Sequence, residues 1–208
     1  VGGMCKGSGM IHPNMCTMLS FVTTDVCISR EMLRKAVKAN VKETYNMVSV
    51  DGDTSTNDTL LVLASGLACN KEIVEEGEDY ALFCQALGAV NEALAKMMAK
   101  DGEGATALIE AKVIHGASKE QAAVIARTII SSSLVKAAVY GHDANWGRIL
   151  CAMGYSGANF DPLHMDLWFE GGGRMELIYR DGKAWDYSEE EAADILSCQE
   201  VTVTADLK

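Results

Sequence analysis

Lys6-Gly-Ser-Gly-Met-Ile-His-Pro-Asn-Met-Cys-Thr17-Met-Leu-Ser-Phe-Val-Thr23 changes character in its middle. Residues 1–16 are rich in glycine, contain Pro13 and read as loop, whereas residues 17–23 have the composition and length of a buried strand. The turn from loop to strand at Cys16–Thr17 places a hydroxyl where a loop containing glycine and proline meets a rigid strand. A threonine hydroxyl is a poor nucleophile at neutral pH. An α-amine, with a pKa of about 7.7–8.0, can serve as its base if the threonine is the first residue of a chain. That chemistry requires the Cys16–Thr17 bond to be cut, by the hydroxyl attacking the carbonyl before it, at a turn able to hold a strained peptide. On the residues alone, Thr17 stays open between a nucleophile and an ordinary residue leading a strand.

Working outward, Ser29 is placed to cap a helix reaching about residue 39, with Met32, Leu33, Ala36 and Val37 on one face. Residues 46–50 read as a short strand. Past the polar loop 51–58, residues 59–64 read as a strand or a buried helical turn, which periodicity does not separate. A helix over 79–100 ends at Gly102, and 107–114 reads as a strand. Ser118-x-x-Gln121 and Ser188-x-x-Glu191 are capping boxes opening two further helices. Between them 134–140, 165–170 and 175–180 read as extended, the last two joined through Gly171-Gly172-Gly173 as a hairpin. Residues 200–207 alternate as a strand, and a strand there needs a neighbour. With a first segment read as loop only, some elements of the fold are expected outside the chain, a self-contained α/β domain being the alternative.

The 208 residues suffice for one sizeable core or two small lobes. A net charge of −11 without a basic run argues against nucleic acid or an anionic membrane as partner. No apolar run approaches the roughly 18–20 residues needed to cross a bilayer, and no signal pattern opens the chain. The seven cysteines lack any C-x-x-C pairing, so most are read as reduced core residues in a reducing compartment.

Several motifs fail on inspection. In the opening glycines Lys6 precedes Gly7, the reverse of a phosphate loop, and His12 stands where a dinucleotide fingerprint needs glycine. Asp51-Gly-Asp53-Thr-Ser55-Thr-Asn57-Asp58 lacks the sixth-position Gly and twelfth-position Glu of a calcium loop, and reads as a turn in which carboxylates accept backbone N–H groups. Asp51 and Asp53 remain candidates for the border of a pocket. His12, His115, His142 and His164 have no paired spacing and are read as structural, no metal site is expected, and no serine stands in a Gly-x-Ser-x-Gly elbow.

Four stretches together carry a family likeness: residues 6–19, Val50-Asp-Gly-Asp-Thr-Ser-Thr-Asn-Asp-Thr59, Asp101-Gly-Glu-Gly-Ala105 and Tyr140-Gly-His-Asp-Ala-Asn-Trp-Gly-Arg148. In this order, along nearly the whole chain, they resemble the glutamate N-acetyltransferase (ornithine acetyltransferase) family. The resemblance implies an α/β fold, a layered αββα-type sandwich like that of N-terminal-nucleophile enzymes with a smaller C-terminal α/β lobe. Residues 1–16 would end the upstream α part, 17–116 form the nucleophile-bearing region and 117–208 the C-terminal lobe. It implies a cytoplasmic precursor of arginine biosynthesis that cuts itself between Cys16 and Thr17 into chains that stay associated as α2β2.

By the same resemblance Thr17 is the catalytic nucleophile, taking the acetyl group from N-acetylornithine and passing it to glutamate. Lys6 and Glu103 match substrate-binding positions, for a carboxylate and an ammonium group respectively. The likeness implies no cofactor or metal, and leaves acetyl-CoA open as a co-substrate, as in bifunctional members. The stretch ending at Arg148 is read as structural, with Asn145 capping a helix and Trp146 packing. This sequence departs from the pattern in having Cys16 where alanine is usual. The family's Thr-Gly oxyanion donors and its C-terminal Asn and Thr/Ser contacts fall outside the chain, a loss of about 10²–10³ in rate per oxyanion donor. An inert subunit fragment and an N-terminal-nucleophile amidohydrolase are the competing readings.

Overall fold

The computed structural model describes residues 1–7, 9–15 and 17–208. They form two compact units, 1–103 and 104–208. The boundary lies before the one drawn from the sequence at 116/117, because the strand over 108–114 pairs with the last strand of the second unit. The second unit, expected to be the smaller, matches the first in length.

In the first unit β1 (Gly2–Lys6), β2 (Leu19–Thr24) and β3 (Thr59–Ala64) form a sheet in that order. The opening segment is therefore not loop throughout. β1 pairs antiparallel with β2, Gly2 opposite Thr23 and Lys6 opposite Leu19. Gly3 permits this pairing under the helices, since a Cβ there would lie 3.0 Å from Leu94 Cδ1. β2 and β3 are parallel, Leu19 opposite Thr59, which resolves 59–64 as strand. A parallel pair needs a long crossover, and here it carries α1 (Arg30–Glu43), capped by the Ser29 side chain accepting from Met32 N.

The crossover then makes a 3₁₀ turn, Tyr45–Met47. The strand expected over 46–50 is absent: Tyr45 is fully buried and anchored by its side chain, and Val50 N donates to Ile11 O instead of joining a ladder. α2 (Glu78–Lys100) buries Tyr80, Phe83, Leu87, Asn91, Leu94 and Met98, one stripe at helical spacing. The inner face of β2 (Ser20, Val22, Thr24) is buried, while its outer face and those of its neighbours leave Met4, Leu19, Phe21, Leu61 and Leu63 exposed.

The second unit holds β4 (Leu108–Ile114), α3 (Lys119–Ser131), α4 (Ser133–Tyr140), α5 (Trp146–Gly154), β5 (Asp166–Gly171), β6 (Arg174–Arg180), β7 (Lys183–Ala184), α6 (Glu189–Leu196) and β8 (Glu200–Asp206). Its sheet runs β4-β8-β5-β6-β7, so the closing strand finds neighbours on both sides. Ser118 and Ser188 cap α3 and α6 as read, accepting from Gln121 N and Glu191 N. β5 and β6 meet through Gly172 and Gly173, both at positive φ as a tight hairpin requires. Residues 134–140, read as extended, are helical. Ser132 accepts from Val135 N as N-cap, and Val135, Ala138 and Val139 recur at helical spacing on the buried side. Burial of that stripe together with the cap decides for helix. Asn145 caps α5 by accepting from Arg148 N, and Trp146 packs on Tyr179 with ring centroids 5.2 Å apart.

Phe169, 1% exposed, is among the largest buried side chains of this second core. Phe169→Ala is expected to lower the stability of the second unit by about 3–5 kcal/mol, read as a shifted urea midpoint at unchanged slope.

Candidate active site

Thr17 stands just ahead of β2, half-buried, with fully buried Met18 after it. Both backbone groups of Met18 are held: its N–H donates to Asp58 Oδ1 at 3.0 Å, and its carbonyl accepts from Thr59 N at 2.9 Å. The Thr17 hydroxyl donates to Met10 Sδ at 3.6 Å. A thioether is a weak acceptor, so this contact leaves the hydroxyl's lone pairs available for attack. No histidine, lysine or carboxylate hydrogen-bonds the Thr17 hydroxyl among the described residues.

The loop before Thr17 is pinned along its length by the crossover. Met10, at φ +58, donates from its N–H to Asp51 Oδ2 at 2.6 Å, and Ile11 N donates to Asp51 Oδ1 at 3.0 Å. Val50 N donates to Ile11 O at 2.7 Å, Thr54 Oγ1 donates to His12 O at 2.8 Å, and His12 Nδ1 lies 2.9 Å from Ser49 Oγ. Met15 N donates to Asn46 Oδ1 at 2.9 Å, and Asn46 Nδ2 reaches back to Met15 O at 3.5 Å. The motif over 50–59 is thus a turn network of carboxylate-to-backbone bonds. Among the described residues no group of three or more His, Cys, Asp or Glu is arranged to hold a metal ion.

Lys6 ends β1 opposite Leu19 in the register, exposed on the open face of the sheet. Glu103 follows the end of α2, and its Oε2 would lie 3.1 Å from a Cβ at Gly9, so the carboxylate rests against the loop before Thr17. Just before Glu103, Gly102 lets the end of α2 pass close to the crossover, because a Cβ there would meet Val50 Cγ1 at 2.8 Å. The fold therefore gathers Lys6, Thr17 and Glu103 around one loop. No hydrogen bond or ion pair joins any two of them. Cys16, the other half of the expected cleavage site, lies outside the described residues. A cavity of about 410 Å³, lined by Val1, Thr23, Thr24, Asp25, Leu63, Ala64 and Ser65, sits at the opposite end of β2 and touches none of these groups.

The model of the ArgJ family matches residues 1–208. The chain belongs to the ArgJ family. Among its relatives, the arginine biosynthesis bifunctional protein ArgJ of Thermotoga neapolitana is 49% identical over 99% of this chain and 52% of its own length. The protein of the same name from Symbiobacterium thermophilum is 52% identical over 100% of this chain and 50% of its own. The chain thus spans about half the length of the curated relatives it matches. The crystal structure of the ArgJ protein of Bacillus halodurans, 45% identical, aligns with a TM-score of 0.86 over 91% of this chain and 88% of that one. The chain therefore has the expected α/β class, of the N-terminal-nucleophile type. Among the described residues no single helix is long and apolar enough to cross a membrane.

Asn46 and Asp58, which grip the backbone on either side of Thr17, were not among the residues singled out in the sequence. Asn46 fell in an expected strand, and Asp58 was one polar residue among many in the turn. The only available signal was that Asp58 immediately precedes an apolar run. Burial raises the Asp58 carboxyl above its ordinary value, with the Met18 N–H acting in the opposite direction.

Asp51 behaves otherwise. Partial burial alone would raise its carboxyl, and the backbone N–H groups of Asp53, Ile11 and Met10 outweigh that and hold it below its ordinary 3.8. Because the folded value is depressed, the grip on the loop is complete above 3.8 and is lost as pH falls through the lower folded value. The Met10 and Ile11 amide proton resonances are expected to titrate with a midpoint below 3.8, and to lose that titration in Asp51→Asn. A midpoint at or above 3.8 would contradict the geometry.

Proposed function

We propose that this chain is the nucleophile-bearing part of a cytoplasmic enzyme of arginine biosynthesis that transfers acetyl from N-acetylornithine to glutamate, after self-cleavage before Thr17. The observation that carries the reading is the setting of the Thr17 hydroxyl. It stands just ahead of β2, beside a pinned loop, with a thioether for its hydrogen-bond acceptor and, among the described residues, no side-chain base bonded to it. A nucleophile so placed needs a base of its own, and the α-amine released by cutting Cys16–Thr17 is one.

In the first event the Thr17 hydroxyl oxygen adds to the Cys16 carbonyl carbon, the C–N bond breaks, and the hydroxyl proton passes to the departing amine. Water then hydrolyses the ester, leaving a Cys16 carboxylate and a Thr17 with both hydroxyl and amine. In turnover the amine takes the hydroxyl proton as oxygen attacks the acetyl carbon. The amide bond of N-acetylornithine breaks, the proton leaves with ornithine, and acetyl-Thr17 remains. The glutamate amine then attacks the ester and Thr17 regains its proton. Lys6 binds the α-carboxylate common to both amino acids, and Glu103 an ammonium group. The relatives are named bifunctional arginine biosynthesis proteins, and acetyl-CoA as a second donor to the same threonine is the matching expectation.

The open face bearing Met4, Leu19, Phe21, Leu61 and Leu63 supports a partner part of the same precursor lying over the sheet, within an α2β2 assembly. Free thiols at Cys5, Cys27, Cys69, Cys84, Cys151 and Cys198 fit a reducing compartment.

Intact mass under denaturing conditions tests the reading on the full-length gene product. Wild type is expected to split between Cys16 and Thr17, Thr17→Ala to stay whole, and only the split protein to carry a 42 Da acetyl adduct on the Thr17 fragment with N-acetylornithine, an increment of about the mass of C2H2O. A wild type that stays whole would sink the proposal. Phe21→Asp on the open face is expected to weaken retention of the upstream part at least about tenfold, since it places a charge in an apolar contact, as read by co-purification.

A further inference from the structure

We infer that Asn46 and Asp58 are positioning residues for the cleavage step, holding the backbone on the two sides of the Cys16–Thr17 bond so that the Thr17 hydroxyl meets the carbonyl before it. The inference rests on the self-cleavage proposed above. Attack of a hydroxyl on its own preceding carbonyl closes a five-membered ring, which demands a narrow range of backbone angles at the residues either side of the bond. Two side chains fix the ends of that short stretch. On one side Asn46 accepts from Met15 N at 2.9 Å and donates to Met15 O at 3.5 Å. On the other, Asp58 Oδ1 accepts from Met18 N at 3.0 Å.

Three further observations separate this from incidental satisfaction of loop amides. The donor at Met18 is met by a side chain and not by a ladder carbonyl, so regular pairing with β3 starts at Leu19 and Thr17 is not drawn into the sheet. Both gripping residues are half-buried, and both lie on the one crossover segment, 45–58, whose Asp51, Ser49, Val50 and Thr54 engage residues 10–12. That segment is itself fixed from beneath. The hydroxyls of buried Tyr45 and Ser20 lie 2.7 Å apart, and Tyr45 donates to Asn91 Oδ1 on α2 at 3.2 Å. Asn91 Nδ2 donates in turn to Asn40 Oδ1 at 2.6 Å. The grip therefore has a rigid base, as a device that sets angles requires.

The experiment uses the full-length gene product and follows the rate of the split by intact mass. Asn46→Ala and Asp58→Ala are each expected to slow it at least about tenfold, since a small displacement of reacting atoms can cost up to about 10²-fold. Asn46→Asp and Asp58→Asn, which keep the oxygen acceptor, are expected to stay within about threefold of wild type, the acceptor being what fixes the geometry. To separate positioning from folding, the same four changes are made on a Thr17→Ala background, where nothing cleaves. Melting temperatures there are expected to fall by less than about 4 °C, the shift that about 1 kcal/mol produces.

If wild type splits and both alanine variants split at its rate, this inference alone is overturned. The same holds if Asp58→Asn and Asp58→Ala are equally slow, or if the slowing tracks a loss of melting temperature. A wild type that does not split overturns the self-cleavage reading and this inference together.

Discussion

Parallel pairing of β2 with β3 constrains everything around Thr17. Two parallel strands begin at the same end of their sheet, so the chain that leaves the far end of β2 must come back to the end where β2 starts. That end is where Thr17 stands. The crossover of α1, the Tyr45–Met47 turn and residues 48–58 is therefore carried past residues 10–18 by topology, before any side chain is chosen. The side chains then exploit the juxtaposition: Asn46, Ser49, Asp51, Thr54 and Asp58 all engage the loop or the strand entrance.

Two layers of polar contact secure this end of the sheet, and they answer to different physics. Above, the crossover satisfies loop amides near solvent, where each bond contributes modestly and the sum sets a conformation. Below, Ser20, Tyr45, Asn91 and Asn40 form a network in the core, with Tyr45 and Asn91 fully buried. Burial, only partly offset by the Ser20 hydrogen bond, pushes the Tyr45 phenol up to about 12, so it remains a neutral donor across the accessible pH range. Losing one member would leave a buried polar group without a partner, which costs more than the bond itself contributes. This lower layer ties β2, both helices and the start of the crossover into one body.

The sheet's two faces divide its labour. Helices α1 and α2 cover the inner face, and the outer face carries Lys6 beside an apolar surface of Met4, Leu19, Phe21, Leu61 and Leu63. The acyl transfer proposed for this site requires that water be kept from an acylated Thr17. Cover over that face would serve this requirement as well as burying apolar area. It would also place Lys6 at a seam.

Much of the architecture was legible in the sequence, where pattern and local chemistry coincide. Ser29, Ser118 and Ser188 announced their helices because an N-cap is a local interaction, while the composition of residues 17–23 and the alternation of residues 200–207 announced the strands found at 19–24 and 200–206. Thr17, Lys6 and Glu103 were reached through motifs, and the loop-to-strand change at Thr17 through composition. Three segments were misread for one reason. Residues 2–6 became a strand by pairing with β2. Residues 134–140 became a helix because burial of Val135, Ala138 and Val139 suits that spacing. Residues 46–50 gave up strand for a turn because Tyr45 is anchored inside. What the sequence by itself determined is what a few neighbouring residues decide: caps, turns, apolar periods and the chemical types at the site. The partners of Asn46 and Asp58, and the meeting of Glu103 with Gly9, were decided by tertiary structure alone. Those contacts join positions distant in the chain, and the parallel crossover is what brings Asn46 and Asp58 within hydrogen-bonding range of Met15 and Met18.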